Sequence, residues 1–255
     1  MIEVENLYKQ FNGQPVLKGI STTFEKGKTS MIIGQSGSGK TVLLKCLLGL
    51  HIPEEGIISF DGRKHTELSV KDHRQLRQEI GMVFQGGALY DSLTVEENIM
   101  FPLKMFADQP FKQMRERVNF VLNRVNLDDV NKKFPAELSG GMQKRVAIAR
   151  AIVMNPRYLF CDEPNSGLDP NTATVIDNLI QEITKEYDII TVINSHDMNS
   201  VMEIGEKIIF LKDGVKAWEG TNKEIFKTEN EAVVKFVYSS NLFKKVREAY
   251  LNETK

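Results

Sequence analysis

The chain has 255 residues, 41% hydrophobic and 26% charged, the proportions of a globular protein with one large domain or two small ones. Lys plus Arg (33) balance Asp plus Glu (34), so no global charge argues for a nucleic-acid partner. No apolar run approaches the roughly 18 residues of a membrane span, and the N-terminal MIEVENLYKQ is unlike a secretory leader. The chain is therefore expected to be cytoplasmic, with any membrane role passing through a partner.

Residues 2–7 alternate apolar and polar and predict a half-buried strand; Phe11 and the turn Asn12-Gly13 follow, then a second strand over Val16–Phe24. Thr29–Ile33 predicts a buried strand and Val42–Leu50 an apolar helix, with a glycine-rich loop between them. That loop, Gly34-Gln35-Ser36-Gly37-Ser38-Gly39-Lys40-Thr41, fits the phosphate-binding pattern G-x-x-x-x-G-K-[ST] in its required strand–turn–helix setting. Gly34, Gly37 and Gly39 let the backbone approach an anion, and successive N–H groups then point at it. Lys40 adds a mobile charge for the β- and γ-phosphates, the Thr41 hydroxyl can ligate Mg²⁺, and the helix opening at Val42 presents its positive end. Cys46 in that helix and Cys161 further on are expected to be reduced core residues, and the four histidines have no metal-ligand spacing.

Short strands are expected over Gly56–Phe60 and Ile80–Phe84, with a polar helix over Ser69–Gln78 between them and Gln85 at the second strand's end. His51, His65 and His73 read as surface residues. From 86 to 155 the pattern turns helical: Thr94 and Glu97 have capping-box spacing, Phe111–Val125 is amphipathic, and Ser139–Met154 forms another helix. Strand signals return at Arg157–Cys161, Asp188–Asn194 and Lys207–Leu211, with helices between, as in a mostly parallel sheet carrying a helical insertion.

Three further stretches carry chemistry. Arg157–Glu163 is an apolar strand ending in two carboxylates; there Asp162 suits Mg²⁺, and Glu163 can orient or deprotonate a water aimed at the γ-phosphate. His196 follows another strand and is either a surface residue or a γ-phosphate ligand; Gln85 is a candidate for the metal or the attacking water. In Leu138–Gln143, Ser139 caps a helix whose N-terminus Gly140 and Gly141 leave uncovered. That is either close packing or a second anion site, which in a symmetric dimer would cover the nucleotide of the other chain. Asp169 and Pro170 open a helix soon after Glu163. The tail, Glu229–Lys255, is helical by period through Leu242, Val246, Ala249 and Tyr250. It packs on its own domain or clasps a second subunit.

Taken together these residues resemble the ATP-binding subunits of ATP-binding-cassette (ABC) transporters. Phe11 matches the adenine-stacking aromatic, Gly34–Val42 the Walker A loop with its helix, Gln85 the Q-loop, and Ser139-Gly140-Gly141 the signature. Asp162-Glu163 matches Walker B, Asp169 the D-loop and His196 the switch histidine. The resemblance implies an α/β fold: a P-loop (RecA-like) core, an N-terminal antiparallel β-subdomain and an inserted α-helical subdomain. The cassette would fill residues 1–220, with the helical part at about 86–155, and residues 221–255 would form the C-terminal extension. It also implies ATP and Mg²⁺ as ligands, a head-to-tail dimer around two ATPs, and a membrane permease holding the subunit on the inner face of the membrane. Phe84–Asn98, followed by Pro102-Leu103, is similar to the lipid-transporting Mla-type ATPases, and the tail around Val233–Val237 to their C-terminal extension, which implies phospholipid transport with a lipid-binding protein of the mammalian-cell-entry type. The family docks its membrane partner beside Gln85, so Leu89, Tyr90, Met100 and Phe101 are expected to be exposed apolar residues there. Leu168 is the common ABC form where some Mla-type members carry Gln. The alternatives are an importer or exporter of another substrate, such as an amino acid or a lipoprotein, and a non-transport scaffold.

Overall fold

The computed structural model describes residues 1–239 and 241–253, and only the backbone of 241, 242 and 251–253. The side chain of Leu242 and the predicted helix end at residues 254–255 lie outside that description. By their contacts, Met1–Glu67 and Ile193–Lys255 form one unit and Leu68–Val192 the other. No described helix is long and apolar enough to cross a membrane.

In the first unit, β1 (Ile2–Phe11) and β2 (Gln14–Phe24) form a hairpin whose turn residues Asn12 and Gly13 are both left-handed, at φ 50 and 78. With β4 (Glu55–Phe60) and β5 (Arg63–Lys64) they make an antiparallel sheet in the order β2-β1-β4-β5. The strand predicted over residues 2–7 runs on to Phe11. Asn6 (φ 46) forms a bulge that shifts the side-chain phase, and its N–H donates to Ser21 Oγ (2.8 Å), so pairing resumes beyond it.

The same unit holds β3 (Thr29–Ile33), buried along its whole length and parallel to β9 (Lys207–Lys212), with β10 (Val215–Gly220) antiparallel at the edge. The sequence reading missed β10 because its residues do not alternate. Its signal was Asp213-Gly214, both left-handed, a two-residue hairpin turn. Three helices follow strands here: α1 (Lys40–Leu47) after β3, α7 (Met198–Ile204), and α8 (Glu231–Val237) beyond β10. The tail forms two helices, α8 and α9 (Asn241–Glu253). Tyr238, 3% exposed, closes α8 and donates its hydroxyl to the Ile225 carbonyl (3.0 Å); Arg247 of α9 donates to the Phe226 and Thr228 carbonyls. In these contacts the tail packs on its own unit.

The second unit holds α2 (Val70–Gln78) and β6 (Ile80–Val83), then α3 (Val95–Phe106), α4 (Phe111–Arg124) and α5 (Gly140–Ile152). It closes with β7 (Tyr158–Asp162), α6 (Pro170–Glu186) and β8 (Ile190–Asn194), whose last residues pass into the first unit. β6 and β7 are parallel, β8 lies on β7's other side, and every long element between β6 and β7 is helical. Thr94 and Glu97 make the expected capping box. The fold is thus α/β, with a separate antiparallel sheet and a helical block between two parallel strands.

Two details differ from expectation. Of the four apolar residues expected to be exposed beside Gln85, Tyr90 is exposed, Leu89 and Phe101 are half-buried, and Met100 is buried on the inward face of α3. The histidines read as surface residues are half-buried: His51 sets its ring edge-on to Phe11 at 5.2 Å, and His65 lies against Phe60. Both cysteines are free and buried as expected; burial pushes the Cys46 thiol up to about 11 and raises Cys161 further, so neither forms a reactive thiolate.

β10 is fastened by a half-buried charge cluster. Glu219 accepts from Lys207 (2.9 Å), Lys216 (2.7 Å) and Thr22 Oγ1 (2.9 Å). Burial alone would raise its pKa, and the three donors outweigh burial and hold it below the ordinary carboxylate value. A lowered folded-state pKa gives stability that is present above the unfolded value and lost as pH falls through the folded one. Glu219→Gln is therefore expected to lower the melting temperature at pH 7. Its gap to wild type should narrow as pH drops from about 5 through the folded-state value, followed by thermal melts across that range.

Candidate functional site

The first unit carries the phosphate loop between β3 and α1. β3 is too buried to hold a charge, and the phosphate loop begins where it stops, at Gly34. Gly34 sits at φ 149; a Cβ there would run into the Leu211 carbonyl oxygen at the end of β9 and meet Ser38 Oγ at 2.7 Å. Gly39, the N-cap of α1, is left-handed at φ 104, and Gly37 faces open space at φ 79. The Lys40 ammonium curls over the loop, donating to the carbonyls of Gly34 (2.8 Å) and Gln35 (3.1 Å). Ser38 Oγ is buried without a hydrogen-bond partner. Gln35, Ser36 and Thr41 are exposed, and Val42 is half-buried. A cradle that excludes side chains, holds a cation and opens a helix fits a polyphosphate.

Two other predicted residues lie in this unit. Ser195 N–H donates to the Ile32 carbonyl (3.2 Å), which ties the β8 end to β3 and leaves His196 exposed just beyond it. Phe11 is 39% exposed, with His51 on its edge and the Lys9 ammonium 5.1 Å from its ring centre. An open aromatic face of this kind can receive a purine.

The second unit carries the carboxylates. β7 delivers Asp162 at its last position and Glu163 one residue later, both half-buried. Gln85 follows β6 and donates its amide to Glu163 Oε2 (2.9 Å), with Ser166 Oγ at 3.5 Å. Ser139 Oγ accepts from the Met142 N–H (3.3 Å) and caps α5, leaving Ser139 and Gly140 exposed. The loop after Glu163 and the start of α6 lie against the two glycines: a Cβ on Gly140 would touch Leu168 at 3.5 Å, and one on Gly141 would meet Thr172 at 2.7 Å. Asp169 caps α6 by accepting from the Thr172 N–H (3.1 Å), and these hydrogen bonds lower its pKa.

Two residues that no motif singled out hold this half together. Lys144 of α5, 7% exposed, donates to the Gln85 carbonyl. Burial lowers its pKa and the nearby Glu163 charge opposes that. Arg150, two turns on, donates to the carbonyls of Gly87 and Ala88 (2.7 Å each) and pins Ala88 in a left-handed backbone at φ 47. A signal was available: beside the i, i+4, i+7, i+11 stripe of Met142, Val146, Ala149 and Val153 that the helical period predicts, Lys144 heads a second line, Ala147, Ile148 and Ala151, so α5 is buried over more of its girth than one stripe.

Among the described residues no three His, Cys, Asp or Glu side chains gather as a metal cluster. A Mg²⁺ bound with a nucleotide takes one or two protein oxygens and the phosphates, and Thr41, Gln85 and Asp162 are hard donors of that kind.

The phosphate cradle and the strand-end carboxylates define a P-loop nucleoside-triphosphatase. The chain belongs to the ABC transporter family, whose pattern matches residues 17–166. It is similar to methionine import ATP-binding protein MetN 2 of Bacillus cereus, 40% identical over 230 residues, covering 89% of this chain and 68% of that one. It is also similar to MetN of Campylobacter jejuni, 37% identical over 257 residues and covering 94% and 76%. Among solved structures, it matches a bacterial ABC transporter cassette solved as a dimer, with TM-score 0.79, 33% identity and coverage of 87% and 99%. It also matches cbiO1 of Clostridium perfringens, with TM-score 0.83, 31% identity and 97% coverage of both chains. A further match is a cassette in a post-hydrolysis state with ADP and phosphate, at TM-score 0.78 and 32% identity over 87% of this chain and 99% of that one. The chain is an ABC ATPase that uses ATP and Mg²⁺.

Gly34→Ala tests the cradle. The added methyl would displace the loop from the Leu211 carbonyl, so ATP affinity should fall by about tenfold or more, read by titration with a fluorescent ATP analogue.

Proposed function

We propose that the chain is the motor subunit of an amino-acid importer of the methionine type, working as a head-to-tail dimer on the inner face of the membrane through a separate permease. The observation that carries this reading is the 40% identity to a methionine import ATP-binding protein over 89% of the chain. Phospholipid transport, the main expectation from the sequence, finds no support in the names of these relatives; they favour the amino-acid alternative.

In this reading Gly34–Thr41 holds the ATP phosphates, Phe11 stacks on adenine, and Ser139-Gly140-Gly141 of the second copy covers the γ-phosphate. Mg²⁺, bound by Thr41, Asp162 and Gln85, would neutralise phosphate charge. Glu163 accepts a proton from a water as that water's oxygen bonds to the γ-phosphorus. The bond from that phosphorus to the bridging oxygen breaks, and ADP and phosphate leave. His196 donates to the γ-phosphate, and Asp169 orders the dimer contact. ATP drives transport by favouring the closed dimer over the open one. The residues after Gln85 support the permease contact: a groove of about 420 Å³ lined by Phe84, Tyr90, Phe101, Met105, Arg150 and Met154 would seat an apolar permease segment.

A second reading, phospholipid transport, draws on the resemblance of Phe84–Asn98 with Pro102-Leu103 and of the tail around Val233–Val237. The two separate in proteoliposomes holding the chain and the membrane protein that co-purifies with it. Methionine-dependent ATP hydrolysis supports the importer; ATP-dependent movement of labelled phospholipid, with no response to methionine, supports the second. For the motor itself, Glu163→Gln should keep ATP binding and lower hydrolysis at least about a hundredfold, while ATP traps the dimer in size-exclusion runs.

A further inference from the structure

The loop from Glu163 to α6 is built on a strained backbone. Glu163 is left-handed at φ 48, a conformation that a residue with a side chain rarely adopts and that persists only when its surroundings fix it. Part of the fixing is local. Ser166 N–H donates to the Glu163 carbonyl (3.2 Å), Leu168 N–H donates to the Asn165 carbonyl (3.3 Å), and Gly167 turns the chain at φ 81.

Two side chains outside every motif add to it. Asn165 Nδ2 lies 3.1 and 3.3 Å from the two carboxylate oxygens of Asp177. Asn165 is 7% exposed and Asp177 3%. A hydrogen bond to a carboxylate is stronger than a neutral one, and burial strengthens it again. Asp177 lies two turns into α6, the helix that Asp169 caps. The loop is thus tied to one helix twice, by the Asp169 cap at its far end and by Asn165–Asp177 near Glu163. Ser166, next to Asn165, also stands at the Gln85 amide that holds the Glu163 carboxylate.

We propose that Asn165 and Asp177 are positioning residues for ATP hydrolysis: their buried hydrogen bond sets the backbone of residues 163–169 and so aims the Glu163 carboxylate. The inference rests on Glu163 being the group that takes the proton from water. It requires that loss of the pair lowers turnover and spares ATP binding, because a carboxylate misplaced by about 1 Å costs rate, while the phosphate loop is a different segment.

The test uses the full chain and reads kcat, ATP affinity with a fluorescent analogue, and melting temperature. Asn165→Ala should lower kcat about tenfold or more with ATP affinity within about twofold. Asn165→Asp should do at least as much harm, since it sets two buried carboxylates together. The double variant Asn165→Asp/Asp177→Asn restores one donor and one acceptor with the roles exchanged, and should recover most of the lost kcat. Wild-type kcat in Asn165→Ala overturns the proposal, and so does a folded double variant that recovers no turnover. If Asn165→Ala does not fold, the double variant decides alone. Glu163→Gln runs in parallel. Wild-type hydrolysis there overturns the reading of Glu163 and this inference with it; an inactive Glu163→Gln beside a fully active Asn165→Ala overturns this inference only.

Discussion

A fully buried strand cannot keep an unpaired charge along its length, and the chemistry of this chain is laid out by that constraint. β3 carries no charged side chain before Gly34, where the phosphate loop begins; Gln85 stands just past β6; Asp162 ends β7 with Glu163 next to it; Ser195 and His196 follow β8. Each functional group gains polarity where its strand leaves the core, and each keeps the rigidity of the strand behind it. Open α/β sheets bind ligands beyond the carboxyl ends of their strands for this reason.

Strand ends alone do not hold loops still. In the first unit the brace is backbone: the Leu211 carbonyl leaves room at Gly34 only for hydrogen, and the Ser195 N–H fastens the β8 end to Ile32. In the second unit it is α5. Its N-terminus offers Ser139 and Gly140 outward, while Lys144 and Arg150 reach back to the carbonyls of residues 85, 87 and 88. Lys144 is buried and Arg150 half-buried, and each pairs its charge with backbone oxygen. Losing either partner would leave a polar group uncompensated, at a cost of roughly 1–3 kcal/mol. The helix that offers Ser139 and Gly140 therefore also braces the loop after Gln85.

The elements that were legible in sequence are those specified locally. The phosphate loop declares itself because its geometry admits only glycine at fixed spacings and needs Lys and Thr next to them. The Thr94–Glu97 box, the Ser139 and Asp169 caps and the buried strand Thr29–Ile33 are equally local, and each lies where the residue pattern puts it. Less legible were β10, whose residues do not alternate, and the tail, whose single helical period hides the break at Tyr238. Met100 is expected to be exposed because the family's docking site lies beside Gln85, and that resemblance does not say which face of α3 turns inward.

By itself, then, the sequence determined the α/β class, the order of the elements and the residues able to bind a triphosphate, since propensity, capping and glycine geometry act over a few residues. Only the tertiary structure decided which side chains brace those residues. Lys144 on Gln85, Arg150 on Ala88 and Asp177 on Asn165 are separated in the chain by 59, 62 and 12 residues. A buried hydrogen bond depends on where packing brings two groups, and no local pattern carries that information.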